Sequence, residues 1–187
     1  MNYHQKQRLF HKVYDYFDGD LAGKTIAIWE LAFKPRTDDM REAPSRILLE
    51  ALWNHGARVQ AYDPRAMEEC QRIYGDRDDL ALVGTKEAAV KEVDALVICS
   101  EWKHFWAPDL KVLMEKMKRP VVIDGRNLYD PPRMANAGFD YLAVGRQGIA
   151  DNTLSLTAGK TDTKLVVNAQ WFFNRFKVIT LVMGKAQ

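Results

Sequence analysis

The sequence predicts an α/β protein: a Rossmann-like parallel sheet with helices on both faces, preceded by the end of a long helix and followed by a tail. Three observations carry this reading. Six short strand-like runs alternate with helix-like stretches, the order expected of repeated βαβ units. Two of the runs, 25–29 (TIAIW) and 95–99 (ALVIC), are apolar almost throughout, as strands covered on both faces are. Two turns that directly follow strands, 31–45 and 124–127, carry cationic side chains at the place where α/β proteins put ligand contacts.

Residues 1–17 read as a helix, with Leu9, Val13 and Phe17 at spacing four, Phe10 and Tyr14 widening the stripe, and Gly19 ending it. A turn at 21–24 leads to the first strand, 25–29. The next helix spans 44–55, with Ile47, Leu48, Ala51 and Leu52 on one face. Pro44 suits its first turn, where no amide bond is lost, and Gly56 suits the position just past its end. The second strand, 58–62 (RVQAY), closes on Asp63-Pro64. Asp63 fits a turn or cap residue; an acid after the second strand also stands where dinucleotide folds hold a ribose hydroxyl. A short helix at 65–74 carries Met67, Cys70 and Ile73, a weak strand follows at 80–83, and Thr85 caps a helix at 85–93.

After the strand at 95–99, Trp102 either walls a pocket or covers the sheet edge, and His104 has no partner in sequence that would make it a base. Cys99 reads as core packing. A helix at 108–118 places Val112 and Lys116 on one face and Leu113 and Met117 on the neighbouring one. The strand at 121–124 (VVID) runs into Gly125-Arg126-Asn127, a short helix closes at 135–138, and 139–144 (FDYLAV) is the last strand.

Composition excludes several classes. The formal charge of +2 over 187 residues gives no basic face for a nucleic-acid partner. Two cysteines, Cys70 and Cys99, make neither a disulfide framework nor a metal-ligand spacing, which fits a reducing cytoplasm. The first residues lack the apolar core of a secretory signal, and no run of 18 apolar residues without a charge is present.

The stretch 31–45 (LAFKPRTDDMREAPS) carries Lys34, Arg36 and Arg41 with Asp38, Asp39 and Glu42 among them. In Phe33, Lys34, Thr37, Asp38, Asp39, Arg41, Ala43, Pro44 and Ser45 it resembles the FKxxTDDxRxSPS-type segment of the UDP-glucose dehydrogenase family, close relatives of GDP-mannose dehydrogenase. Residues 100–105 (SEWKHF) resemble the family's TEWxxF segment, and 124–127 match its DGRN element. The first residues resemble the last part of the long helix that joins the two halves of the family enzyme, here with Met1 inside it. Glu30 departs from the pattern, standing where family members usually have glycine; its carboxylate lies beside the expected phosphate site or points into solvent. The likeness covers residues 2–146.

The resemblance implies three segments: 1–18, the remnant of the connecting helix; 19–146, a UDP-sugar-binding domain; and 147–187, a tail of its own. The family oxidises the C6 alcohol of a UDP-sugar to a carboxylate with two NAD+. Its C-terminal domain supplies the UDP half of the site. By that likeness Phe33, Lys34 and Arg126 contact the nucleotide-sugar, and Arg41 reaches the NAD side. Cationic donors on loops beside helix N-termini suit a pyrophosphate. The remaining machinery is not in the sequence. No G-x-G-x-x-G precedes a helix, and neither Cys70 nor Cys99 has the GxCxPKD context of the family nucleophile. Two readings follow. The chain is the UDP-sugar-binding part of a UDP-glucose 6-dehydrogenase, whose NAD-binding half is missing or encoded separately. Alternatively it is a non-catalytic nucleotide-sugar-binding or regulatory module from a truncated gene. Family enzymes assemble as dimers or larger, so a homo-oligomer is expected. In the tail, Leu165, Ala169, Phe172, Phe176, Ile179 and Met183 follow a helical stripe, read as a packed or interface helix ahead of one lying on a membrane.

Overall fold

A computed structural model of the chain describes residues 7–145. Helix α1 (Arg8–Tyr16) comes first. It ends where Asp18 and Gly19 take positive φ and the Gly19 amide donates to the Tyr14 carbonyl at 2.9 Å. Strand β1 (Thr25–Trp29), helix α2 (Pro44–Asn54) and strand β2 (Arg58–Tyr62) form the first βαβ unit. Helix α3 (Met67–Tyr74), strand β3 (Leu80–Leu82) and helix α4 (Lys86–Ala89) follow, then strand β4 (Ala95–Ile98) and a single 3₁₀ turn at Lys103–Phe105. Helix α5 (Leu110–Lys116), strand β5 (Val121–Asp124), helix α6 (Pro131–Asn136) and strand β6 (Asp140–Ala143) complete the described chain.

All six strands are parallel, in the order β3-β2-β1-β4-β5-β6. The expected Rossmann-like sheet is therefore present. Two-sided burial explains the apolar runs. Ile26 and Ile28 of β1 pack on one face with Leu48, Leu49 and Leu52 of α2 and Cys70 of α3. Ala27 and Trp29 pack on the other with Ala89, Leu113, Met117 and Met134. The two crossover helices α2 and α3 serve only the half of the first face over β1 to β3. Helix α1 covers more of it, packing Leu9, Val13 and Phe17 into the same cluster as Val97, Val121 and Ile123. The Tyr16 hydroxyl adds a hydrogen bond to Asp140 at the start of β6.

Several elements are shorter than the periodicity suggests. The helix expected at 85–93 is one turn, because Glu92 takes φ 56° and sends its amide to the Lys116 carbonyl at 2.8 Å. The one expected at 108–118 starts after Asp109, whose carboxylate accepts the Lys111 and Val112 amides at 3.0 and 3.2 Å. In α2 the fully buried leucines are 48, 49 and 52, so Leu49 takes the core place expected for Ile47. Residues 165–183, with their helical stripe, lie outside the described residues.

The strand order sets the place of the site. From β1 the chain steps outward to β2 and β3, then returns to the other side of β1 and continues through β4, β5 and β6. Turns at the C-terminal ends of β1 and β4 thus diverge to opposite faces, and such a switch point is where open α/β sheets place a ligand crevice.

Candidate functional site at the switch point

The turn after β1 is held from within and from below. Glu30, its first residue, has φ 71°, a conformation that glycine adopts freely and a residue with a Cβ does not. Its amide extends the β1–β2 ladder to the Tyr62 carbonyl at 3.0 Å. Asp63, buried at the end of β2, accepts the Leu31 and Ala32 amides on Oδ2 at 2.7 and 3.2 Å. Its Oδ1 accepts the Arg65 and Ala66 amides at 2.7 and 3.0 Å. Four backbone donors occupy this carboxylate, so Asp63 is the turn and cap residue and not a ribose acceptor.

Inside the turn, Thr37 Oγ1 accepts the Asp39 amide at 3.0 Å, and the Asp39 carbonyl accepts the Phe33 amide at 2.8 Å. Met40 is fully buried, and the Ser45 hydroxyl donates to the Leu31 carbonyl. These residues fold the loop. Lys34 and Arg36 are exposed on it. Lys34 Nζ lies 5.6 Å from the centroid of the half-buried Phe33 ring. Arg41 is 85% exposed and grips Asp39 with two parallel bonds of 3.0 Å. Those bonds hold the Asp39 carboxyl below its usual range.

The turn after β5 is organised by Asp124, which is fully buried. Its Oδ1 accepts the Arg126 amide at 2.9 Å. Its Oδ2 accepts the Leu128 and Tyr129 amides at 2.7 and 3.2 Å and the Tyr141 hydroxyl at 2.7 Å. Gly125 is required by close approach: a Cβ there would stand 2.7 Å from the Ile98 carbonyl oxygen and 2.9 Å from Leu9 Cδ2. Arg126 is half-buried and reaches back across β4, its Nε donating to the Cys99 carbonyl at 3.3 Å. Asn127, at φ 57°, donates from Nδ2 to the Val144 carbonyl at 2.9 Å, while its buried Oδ1 makes no hydrogen bond.

Between these turns lies the end of β4, and Glu30 points into it. The side chain is 1% exposed, so the solvent-facing alternative is overturned. Its Oε1 accepts the Trp102 amide at 2.7 Å, with the Ser100 hydroxyl as a further partner of the carboxyl group. Oε2 makes no hydrogen bond. Burial pushes the Glu30 carboxyl up to about 7; the Ser100 and Trp102 hydrogen bonds oppose this, the Asp63 charge adds to it, and Arg126 opposes it. Trp102 is half-buried against the second core cluster. His104 is exposed, with its ring 5.0 Å from Phe105 and 6.0 Å from Tyr62, which suits a surface position.

The expected site residues therefore leave one edge of the sheet. Phe33, Lys34 and Arg41 sit on the turn after β1, and Arg126 on the turn after β5, with β4 between them. Parallel neighbours lie about 4.8 Å apart, so the two strand ends are separated by about 10 Å. Sequence reasoning left the course of Glu30 open between inward and solvent-facing, and missed its partners, the Ser100 hydroxyl and the Trp102 amide. The departure from glycine at a strand end was their only signal.

The β1–α2 turn differs from the dinucleotide fingerprint in two places: a buried acid stands where that fingerprint has glycine, and Asp63, filled by four amides, has no oxygen left for a ribose. Neither cysteine is poised as a nucleophile: burial pushes the Cys70 thiol up to about 12 and raises that of Cys99 further. Among the described residues no group of three or more His, Cys, Asp or Glu could hold a metal, and no helix is long and apolar enough to cross a membrane.

Comparisons with known proteins agree with this geometry. Residues 27–131 match the family model described as the UDP-glucose/GDP-mannose dehydrogenase family, UDP binding domain. A UDP-glucose 6-dehydrogenase of Pseudomonas aeruginosa is 47% identical over 148 residues, 78% of this chain and 33% of that enzyme. One from Rhizobium meliloti is 39% identical over 146 residues, again 78% of this chain and 33% of the relative. Among solved structures, a UDP-glucose dehydrogenase from Pyrobaculum islandicum superposes with a TM-score of 0.60 at 27% identity, over 74% of this chain and 29% of that one. The chain thus spans about a third of the length of the curated relatives it matches. With both motif turns inside the matched segment, the chain belongs to the UDP-glucose/GDP-mannose dehydrogenase family and contains that family's UDP binding domain.

Proposed function

We propose that the switch-point crevice binds the UDP moiety of a UDP-sugar, and that the chain acts as the nucleotide-sugar-binding C-terminal part of a UDP-glucose 6-dehydrogenase. The observation that carries this is the pairing of two motif turns at the same edge of the sheet, one strand apart, each tied to the sheet by a buried aspartate that accepts backbone amides on both oxygens. Such bracing fixes the backbone and leaves Lys34 and Arg126 to meet a ligand. Lys34 supplies a point charge for the diphosphate and Phe33 an apolar face beside it. Arg126 offers a planar fork from the opposite turn.

In this reading Arg41 faces an NAD carried on a separately encoded half, and the thiol chemistry resides there too. Residues 1–18 are the end of a connecting helix, 19–146 the binding domain and 147–187 an appendage; the protein works in the cytoplasm as a homo-oligomer. Calorimetry with UDP tests the site. Micromolar to millimolar binding that weakens about tenfold to a hundredfold in Lys34→Ala or Arg126→Ala supports it. No heat at millimolar UDP overturns it. NADH formation by this chain alone from UDP-glucose and NAD+ would overturn the division of labour.

A further inference from the structure

Among the described residues, Glu30 is a buried carboxyl that this reading leaves without a role. Three observations set it apart. Its backbone holds φ 71°, which costs a residue with a Cβ and costs glycine nothing. Its side chain is 1% exposed, yet Oε2 makes no hydrogen bond. And it lies at the switch point itself, accepting the Trp102 amide at 2.7 Å beside the Ser100 hydroxyl. A carboxylate oxygen on a backbone amide and a hydroxyl, within the field of an arginine, is the arrangement a phosphate oxygen would seek at the same strand ends.

We infer that Glu30 is an internal counter-anion that sets the affinity of the crevice for a diphosphate: ionised, it opposes the ligand and holds the field of Arg126; protonated, it admits the ligand. This inference rests on the nucleotide-site reading above. The charged and titratable groups around Glu30 come from each neighbouring element: Asp63 after β2, Cys99 after β4, and Arg126 and Tyr129 after β5. Asp63 is occupied by four amides, and burial drives the Cys99 thiol and the Tyr129 phenol far above neutrality, so neither changes charge near pH 7. Arg126 stays cationic throughout. Of these groups, the one that changes charge between pH 6 and pH 9 is Glu30 itself, whose carboxyl burial pushes up to about 7. Two like charges about 6 Å apart, at an effective dielectric of about 20, repel by about a hundredfold in binding constant.

UDP-glucose is the appropriate probe, because its diphosphate is a diester with no ionisation in that range. The measurement is calorimetric titration of the full chain, its Glu30→Gln variant and its Glu30→Gly variant at pH 6, 7.5 and 9. The wild type should lose affinity about tenfold per pH unit above 7, up to about a hundredfold, and should take up close to one proton on binding at pH 8. Both variants should bind at the wild type's pH 6 strength, with a flat profile and no proton uptake. Glu30→Gly keeps the test open if Glu30→Gln does not fold, since glycine suits the backbone. Parallel profiles in all three proteins would overturn the inference and leave the nucleotide site standing. No binding by any of them at any pH would overturn the nucleotide site and the inference with it.

Discussion

The turn after β5 and the turn after β1 leave the same edge of the sheet, and each begins on a buried acid. In the first, Asp124 holds an ordinary strand conformation and receives four donors, three amides and the Tyr141 hydroxyl. In the second, Glu30 sits at φ 71° with one oxygen bonded to the Trp102 amide and the other bare. Burial alone therefore does not say what a carboxylate is for. Asp124 is where the backbone of its turn is fixed. The turn after β1 is fixed by Asp63, from the neighbouring strand, and not by the acid that opens it. The first turn would collapse without its acid; the second would keep its shape.

The sharpest way to break that comparison is to remove each acid in turn and measure unfolding in urea. Asp124→Ala leaves three buried amides and a tyrosine hydroxyl without an acceptor, and should cost about 3–5 kcal/mol. Asp63→Ala strips four amides from two elements and should cost a similar amount, or slightly less because Arg65 lies nearer solvent. A loss below about 1 kcal/mol in either would refute the bracing role. Glu30→Gly should move the other way and raise stability at pH 8, by relieving the positive-φ strain and removing a poorly paired buried charge.

The pH dependence sharpens the same contrast. Glu30 titrates near 7 in the folded chain against about 4.5 unfolded, so the folded state keeps a proton that the unfolded state releases. Stability is therefore fully present below about pH 4.5, is lost as the pH rises through 7, and changes no further above it. The gap between Glu30→Gln and the wild type should widen by roughly 3 kcal/mol from pH 4.5 to pH 8. A constant gap would mean that Glu30 is as well solvated when folded as when unfolded.

What could be read from the sequence follows the same divide. The strands were legible because 25–29 and 95–99 are apolar on both faces, and the ends of α1 and α2 because Gly19 and Gly56 take φ 81° and 76°. The two motif turns were legible because their charges follow strands directly. Asp63 was legible as a turn residue, but its bonds to Leu31 and Ala32 cross 32 and 31 residues, a separation no local pattern reports. Glu30 was visible only as a departure from glycine. Whether it turned inward depended on the Trp102 amide, 72 residues away. The early end of α4 likewise depends on Glu92 pairing with Lys116, a tertiary contact that overrides helical periodicity.

Among the cations, the contrast is between Arg126 and Arg41, in what already holds each of them. Arg126 is half-buried, with a single 3.3 Å bond to the Cys99 carbonyl, so its remaining donors are available to a ligand. Arg126→Lys keeps the charge and loses the planar fork, and should weaken UDP binding about tenfold while leaving the fold intact. Arg41 is the opposite case. It is already satisfied by Asp39, in an exposed pair two residues apart, and water screens that pair so strongly that its removal is nearly neutral for stability. If Arg41 serves only an NAD held elsewhere, Arg41→Ala should leave both the thermal midpoint and the UDP affinity of this chain unchanged. Its effect should appear only when an NAD-binding half is added, as a raised KM for NAD+ with the UDP-glucose KM unaltered. A loss of UDP affinity in the isolated chain would place Arg41 with Lys34 on the nucleotide-sugar side and redraw the boundary between the two ligands.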